Sequence, residues 1–291
     1  MKKKILSIGE IIWDIYPDKK TIGGAPLNFA AHAVLCGADS TLVSAIGGDS
    51  LGEAAIQALV GFGVNCRYVK KTNRPTGQCI VTLDKNAVPH YNVLRGVAYD
   101  NIALDNNDFE RISGEKYDAL YFGTLIQREE VSRKTVCELL NRCVFSTIIC
   151  DVNLRPNCYN KDSVSLCLNH ATILKVSIEE EPFLRSLGGY IPDNDSPEAI
   201  AMALSKAYPQ LEMILITLGK DGSYAYSVKD CKSYYQKSIG DIVVSTVGAG
   251  DSFAAAWLIS YLEQKPIEEC MKKAAEISGF VVAHTQAVPI Y

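Results

Sequence analysis

The sequence predicts an α/β fold, a mostly parallel central sheet covered by helices. Three observations predict it. Short β-branched runs alternate with longer segments of helical period, the pattern of strands joined by helical crossovers. Polar residues and glycines gather directly after the apolar runs, where an open parallel sheet presents its strand ends. The 291 residues are 48% hydrophobic, enough for a large packed core.

The expected core strands are residues 5–8, 42–46, 119–122, 147–150, 171–174 and 213–217. Between them, residues 26–36, 52–61, 128–143, 196–208 and 251–263 carry helical spacing. Two regions break the alternation. Residues 11–22 and 79–98 read as strands with mixed faces around the turn signals Pro17-Asp18-Lys19-Lys20 and Asp84-Lys85-Asn86. They are expected to pair as a small separate sheet beside the strand ends, a lid over a substrate; an ordinary surface hairpin is the alternative. With no internal repeat, low-complexity tract or Pro/Gly/Ser linker, residues 1–291 read as one domain with lid segments at about 11–22 and 79–98.

Charge and cysteine usage narrow the function. The 33 acidic and 29 basic side chains leave −4, which supplies no general basic field for a nucleic-acid backbone, so nucleic acid is not an expected partner. Ten cysteines are spread over a long chain without a Cys-x-x-Cys pair, and only four histidines are present. They read as reduced thiols in a cytoplasmic protein. Lys2-Lys3-Lys4 precede an apolar run, but Glu10 and Asp14 interrupt it before it reaches the length of a signal segment. No run of about 18 apolar residues stands elsewhere, so no membrane span is expected.

The residues after the strand runs are Gly9-Glu10, Gly123-Thr124, Asp151 to Arg155, Lys175-Val176-Ser177 and Leu218 to Gly222. Carboxylates, an arginine, a lysine and glycines in these places suit a charged or polyhydroxylated ligand. The most informative segment is Ser245-Thr246-Val247-Gly248-Ala249-Gly250-Asp251 ahead of an alanine-rich helical run. Small residues at a helix N-terminus let backbone N–H groups approach an anion closely, and a phosphate is the natural guest. Asp251 in the first turn is favoured as a carboxylate and could reach an acceptor hydroxyl. The alternative is that Asp251 caps the helix and the glycines serve packing. No Gly-x-x-x-x-Gly-Lys-Ser/Thr occurs, and Phe253 stands where a dinucleotide fingerprint starting at Gly248 needs Gly or Ala.

Gly248-Ala249-Gly250-Asp251, together with Gly23-Gly24-Ala25-Pro26-Leu27-Asn28-Phe29-Ala30, resembles the two signature regions of the ribokinase-like (PfkB) carbohydrate kinases. Ala45 to Gly52, Asp151 to Arg155 and Ile216 to Gly222 also match, so the resemblance covers nearly the whole chain. Gly9 to Pro17 and Asp151 to Pro156 look most like bacterial fructokinases. The resemblance implies a three-layer α/β/α fold with a small β-sheet lid. It also implies transfer of the γ-phosphoryl group of ATP to a sugar hydroxyl, with fructose to fructose 6-phosphate as the expected reaction.

In that reading Asp251 is the general base, and Gly248, Ala249 and Gly250 face the transferring phosphoryl oxygens. Asp14, Gly24 and Asn28 hold sugar hydroxyls, and Arg155 faces the sugar and the phosphate path, an ion pair with Asp151 being its structural alternative. Lys175, Thr217, Gly219 and Gly222 fall on the nucleotide side. Lys220 is expected to point to solvent. Two departures stand out. Ser177-Ile178-Glu179-Glu180 replaces the usual Asn-x-x-Glu; Glu180 keeps the carboxylate and would meet Mg²⁺ through water. Ser245 replaces the Asp that precedes the second signature, near a monovalent-cation region, so dependence on an ion such as K⁺ stays open. Other acceptors are 2-keto-3-deoxygluconate, whose carboxylate would meet Arg155 and Arg95, ribose or a nucleoside; a sugar-sensing protein without chemistry is the alternative of another class. ATP and a small sugar are the expected partners, with a homodimer through the lid as a further expectation.

Overall fold

A computed structural model describes residues 2–83, 89–240 and 242–291. In chain order the N-terminal half contains β1 (Lys4–Ile8), β2 (Ile12–Ile15), β3 (Lys20–Gly23), α1 (Ala25–Leu35), β4 (Asp39–Gly47), α2 (Ser50–Gly61), β5 (Asn65–Thr72), β6 (Gly77–Leu83), β7 (Pro89–Val93), α3 (Asn106–Glu115), β8 (Ala119–Gly123) and α4 (Glu130–Arg142). There follow β9 (Thr147–Asp151), α5 (Lys161–His170), β10 (Ile173–Ser177), α6 (Glu181–Gly188), α7 (Pro197–Ala207), β11 (Met213–Thr217), β12 (Ser223–Ser227), β13 (Lys232–Gln236), α8 (Ala249–Leu262) and α9 (Ile267–Val282).

Among the described residues the main sheet runs β13-β12-β11-β10-β9-β8-β1-β4-β5, parallel from β11 to β5 and antiparallel at β12 and β13. Its central strands are apolar on both faces because both are covered. Leu6 and Ile8 of β1 join the layer built by α3 to α7, whereas Ile5 faces Phe29 of α1 and Trp257 of α8. α8 is buried all round between α1 and α9, which explains its run of apolar residues without an exposed stripe. No helix among the described residues is long and apolar enough to cross a membrane.

The six expected strands all lie in this sheet, with one shift. Residues 171–174 were expected as a strand, but Ala171 still closes α5 through its N–H to the Cys167 carbonyl, and the ladder runs over Ile173–Ser177. Lys175 is therefore inside a strand rather than after it. The edge strands β5 and β13 are polar, and β12 reads Ser-Tyr-Ala-Tyr-Ser, so none carries the apolar run that marks the central strands.

The separate small sheet has the order β3-β2-β6-β7, with β2 antiparallel to β3 and parallel to β6, and β6 antiparallel to β7. The expected turn at Asp84-Lys85-Asn86 lies outside the described residues. Beyond β7 the chain is fastened to the main body by the buried Arg128, which donates from Nε to Asp100 Oδ1 at 2.7 Å and from Nη2 to the Leu94 carbonyl at 2.6 Å.

Candidate active site

The carboxyl ends of β1, β9, β10 and β11 lie along one edge of the parallel sheet, and the N-termini of α1 and α8 meet there. α1 starts at Gly24, whose φ of +111° favours glycine and where a side chain would collide with the Glu10 carbonyl. α8 starts at Gly248 with φ +83°, where a side chain would meet the Ala287 carbonyl. These two tight entries bring Asn28 to Asp251: Asn28 Nδ2 donates to Asp251 Oδ2 at 2.8 Å.

Two cavities open on this edge. The smaller, about 330 Å³, lies under the small sheet and is lined by Glu10, Asp14, Gly24, Asn28, Lys175 and Asp251 among others. The larger, about 700 Å³, is lined on one side by Thr217, Gly219 and Gly222 and on the other by Ala275, Ser278 and Gly279 of α9. Both are lined by Arg155, Thr246 and Gly250, so they meet at the first turn of α8. The helix dipole and the first-turn amides make that junction attractive to an anion. The Ala249 amide is engaged by the Thr246 carbonyl at 3.3 Å.

The electrostatics are those of crowded, buried carboxyls. Burial, then repulsion from Asp151, pushes Asp251 up to about 6, against the Asn28 hydrogen bond and the charges of Lys175 and Arg155. Burial pushes Glu10 up to about 7, although its own amide and that of Ala25 donate to it. Burial also raises Asp14, with Arg155 opposing. Lys175 Nζ donates to Asp151 Oδ2 at 2.8 Å, and both side chains are almost fully buried. Burial, the largest single influence, lowers this lysine, but the Asp151 carboxylate, with smaller help from Glu180 and Asp251, outweighs it and favours the charged ammonium. A side chain on Gly250 would place its Cβ 3.2 Å from Lys175 Nζ, so the lysine sits directly under the first turn of α8.

The structure thus brings together Asp14, Gly24, Asn28, Arg155, Gly248, Gly250 and Asp251 at the smaller cavity, with Ala249, Thr217, Gly219 and Gly222 at the larger. Lys175 lines the smaller cavity, not the nucleotide-sized one. Asp151 pairs with Lys175 rather than with Arg155, which is exposed at the junction. Arg95 stands apart: it donates to Glu129 Oε1 at 2.6 Å and to the Asn157 carbonyl at 2.5 Å, and 53% of its side chain is exposed. Both oxygens of Glu180 accept backbone N–H groups, from Leu154 and from Ser177, while the neighbouring Glu179 lines the larger cavity.

Sequence reasoning did not find the α9 wall. Its signal was Gly279 inside a helix, where a side chain would collide with the Ile239 carbonyl, so that the loop at Ile239 and Gly240 can lie against the helix.

Residues 2–290 match the model of the pfkB family carbohydrate kinases. The chain is 29% identical over 301 residues to a putative sugar kinase of Pyrococcus horikoshii, covering 96% of this chain and 88% of that protein. The crystal structure of that kinase in complex with ATP superposes with a TM-score of 0.81 at 26% identity, over 97% of this chain and 93% of that one. An ATP-dependent 6-phosphofructokinase of Thermoanaerobacterium thermosaccharolyticum is 23% identical over 303 residues, 99% and 90% of the two chains. A probable fructokinase of Arabidopsis thaliana is 25% identical over 305 residues, 96% and 89% of the two chains.

Proposed function

The chain belongs to the pfkB family of carbohydrate kinases, phosphotransferases with hydroxyl acceptors, and from that premise we propose that it phosphorylates fructose at the 6-hydroxyl with MgATP. The observation that carries this reading is the meeting of a sugar-sized and a nucleotide-sized cavity at the first turn of α8, with Asp251 on the sugar side. Asp251 accepts the proton of the attacking hydroxyl. Asp14, Asn28 and the Gly24 turn supply the directed donors and acceptors that a polyol needs. The open amides at Gly248 and Gly250 take the charge developing on the phosphoryl oxygens, roughly 3 kcal/mol per donor, while the Ala249 amide must first leave Thr246. Arg155 reaches both substrates from the junction.

The residues present fit a hydrated Mg²⁺ carried on the phosphates. Among the described residues no group of three or more His, Cys, Asp or Glu forms a direct cage, and Glu180, its oxygens oriented by two amides, would meet the ion through water. When bound, the ion neutralises charge on the transferring group. Residues 1–291 then work as one cytoplasmic kinase unit, with the small sheet as lid and its outer face available to a second copy of the chain.

The test is ADP release with ATP over a panel of sugars. Turnover on fructose, lost by orders of magnitude in Asp251→Asn with the thermal transition kept, supports the reading. Full activity in that variant removes the proposed base, and ATP binding without turnover on any sugar favours a sensing role.

A further inference from the structure

We propose that the acceptor cavity serves uncharged or ammonium-bearing sugars and rejects acceptors carrying a carboxylate or phosphate, with Glu10 as a specificity-determining residue. This rests on the kinase reading above and names the substrate class of that same site.

Four carboxyl groups line the smaller cavity, Glu10, Asp14, Asp151 and Asp251, against two cations, Lys175 and Arg155. Lys175 is committed to Asp151 at 2.8 Å, so that pair is close to neutral. Arg155 is exposed and lines both cavities, so its guanidinium faces the donor's phosphates once the nucleotide is bound. Glu10, Asp14 and Asp251 are left without an ion pair among the described residues. Glu10 is the deepest of the three side chains, only 4% exposed, with Oε1 fixed by the Ala25 amide at 3.1 Å.

An incoming carboxylate or phosphate ester would be held among like charges where water cannot screen them. Hydroxyl groups, by contrast, donate to each carboxyl, and an ammonium group would favour the charged forms of Glu10 and Asp251 that burial, and to a smaller extent their carboxyl neighbours, disfavours. Arg95, the second arginine that an acid substrate would need, is held outside by Glu129 and the Asn157 carbonyl.

The experiment compares fructose, 1-amino-1-deoxyfructose, 2-keto-3-deoxygluconate and fructose 6-phosphate by ADP release and by calorimetric binding, on the full chain and on Glu10→Gln. The expected result is a kcat/KM for the two anionic acceptors about 100-fold or more below that of the best other acceptor. Glu10→Gln keeps a carbonyl for the Ala25 amide; it should narrow that gap about tenfold and weaken the amino sugar relative to fructose. Asp14→Asn should act in the same direction if Glu10→Gln does not fold. An anionic acceptor equal to or better than the others, or a gap unchanged in a folded Glu10→Gln, overturns the proposal. Absence of turnover with all four sugars counts against the kinase reading instead, and the binding order then decides the charge preference by itself.

Discussion

Asn28 and Asp251, 223 positions apart, are joined by a 2.8 Å hydrogen bond in which the amide donates to the carboxylate. It ties the first turn of α1 to the first turn of α8 and leaves Asn28 Oδ1 buried without a hydrogen-bond partner among the described residues, beside the smaller cavity. A buried acceptor left open in this way suits a sugar hydroxyl as donor. The same bond favours the charged form of Asp251 against the burial that opposes it. The two signature segments are therefore joined: Asn28 on one favours the carboxylate form of the proposed base, Asp251, on the other.

That coupling sets a pH dependence. Asp251 is raised to about 6, and only its carboxylate can accept a proton, so kcat/KM should rise with pH through a limb near 6. Removing the amide in Asn28→Ala withdraws a contact that stabilises the charge. The limb should then move to higher pH, together with a raised KM for the sugar; pH profiles of the parent and of Asn28→Ala in the ADP assay check it.

His32, one turn beyond Asn28 on α1, is fully buried, with Nε2 2.9 Å from the Ala287 carbonyl and Nδ1 3.1 Å from the Tyr291 hydroxyl. Burial lowers it from 6.5 to about 4. Its neutral form is the folded one, so its stabilising contribution is complete above about 6.5 and is lost as pH falls toward 4. Glu10 and Asp251 work in the opposite sense, since raised carboxyls favour the folded state at low pH and lose that effect as pH rises. The histidine is therefore read by difference: the gap in Tm between the parent and His32→Gln should shrink as pH falls from about 6.5 to 4.

Gly248 holds a left-handed conformation at the entry to α8, with the Ala287 backbone where a side chain would go. Gly248→Ala should cost about 1–2 kcal/mol from the backbone alone, plus whatever the Ala287 segment needs to move. Chemical denaturation gives their sum, which should be at least the backbone cost. Because the displaced turn is the one proposed to face the transferring phosphoryl group, kcat should fall while KM for the sugar changes little.

Much of this was legible in the sequence, for identifiable reasons. The central strands carry apolar runs because both faces of the sheet are covered, and Gly24 and Gly248 mark helix entries that only glycine satisfies. Asn28 and Asp251 could be picked out as motif residues, but their mutual bond depends on how α1 and α8 cross, which local pattern does not encode. Arg95 read as a carboxylate binder because a free guanidinium fits one; its neighbours Glu129 and Asn157 come from distant segments. The α9 wall of the larger cavity left only the faint signal of a glycine inside a helix, because Ala275 and Gly279 contribute shape and no reactive group. Lys175 was placed after a strand because Ala171-Thr172 extends the apolar run backward into the exit of α5.

The placement of Lys175 inside β10 leads to the last prediction. Its ammonium and the Asp151 carboxylate form a pair with side chains 7% and 1% exposed, and Tyr121 donates a further, longer bond to the same oxygen at 3.4 Å. Lys175→Met leaves Asp151 buried without its cation, a loss of about 3–5 kcal/mol in stability. Asp151→Asn alone strands the lysine under Gly250, although the nearby Asp251 charge softens that cost. The double variant removes both charges, so most of the stability should return, as urea denaturation of the three proteins would show. Activity should not return with it. Without the lysine, Asp251 loses a neighbouring positive charge while also losing the repulsion of Asp151, the larger of the two influences on it. The pH limb should therefore move downward in the double variant even as kcat falls for want of the ammonium under Gly250. A double variant that is both stable and fully active would show that the pair serves packing alone.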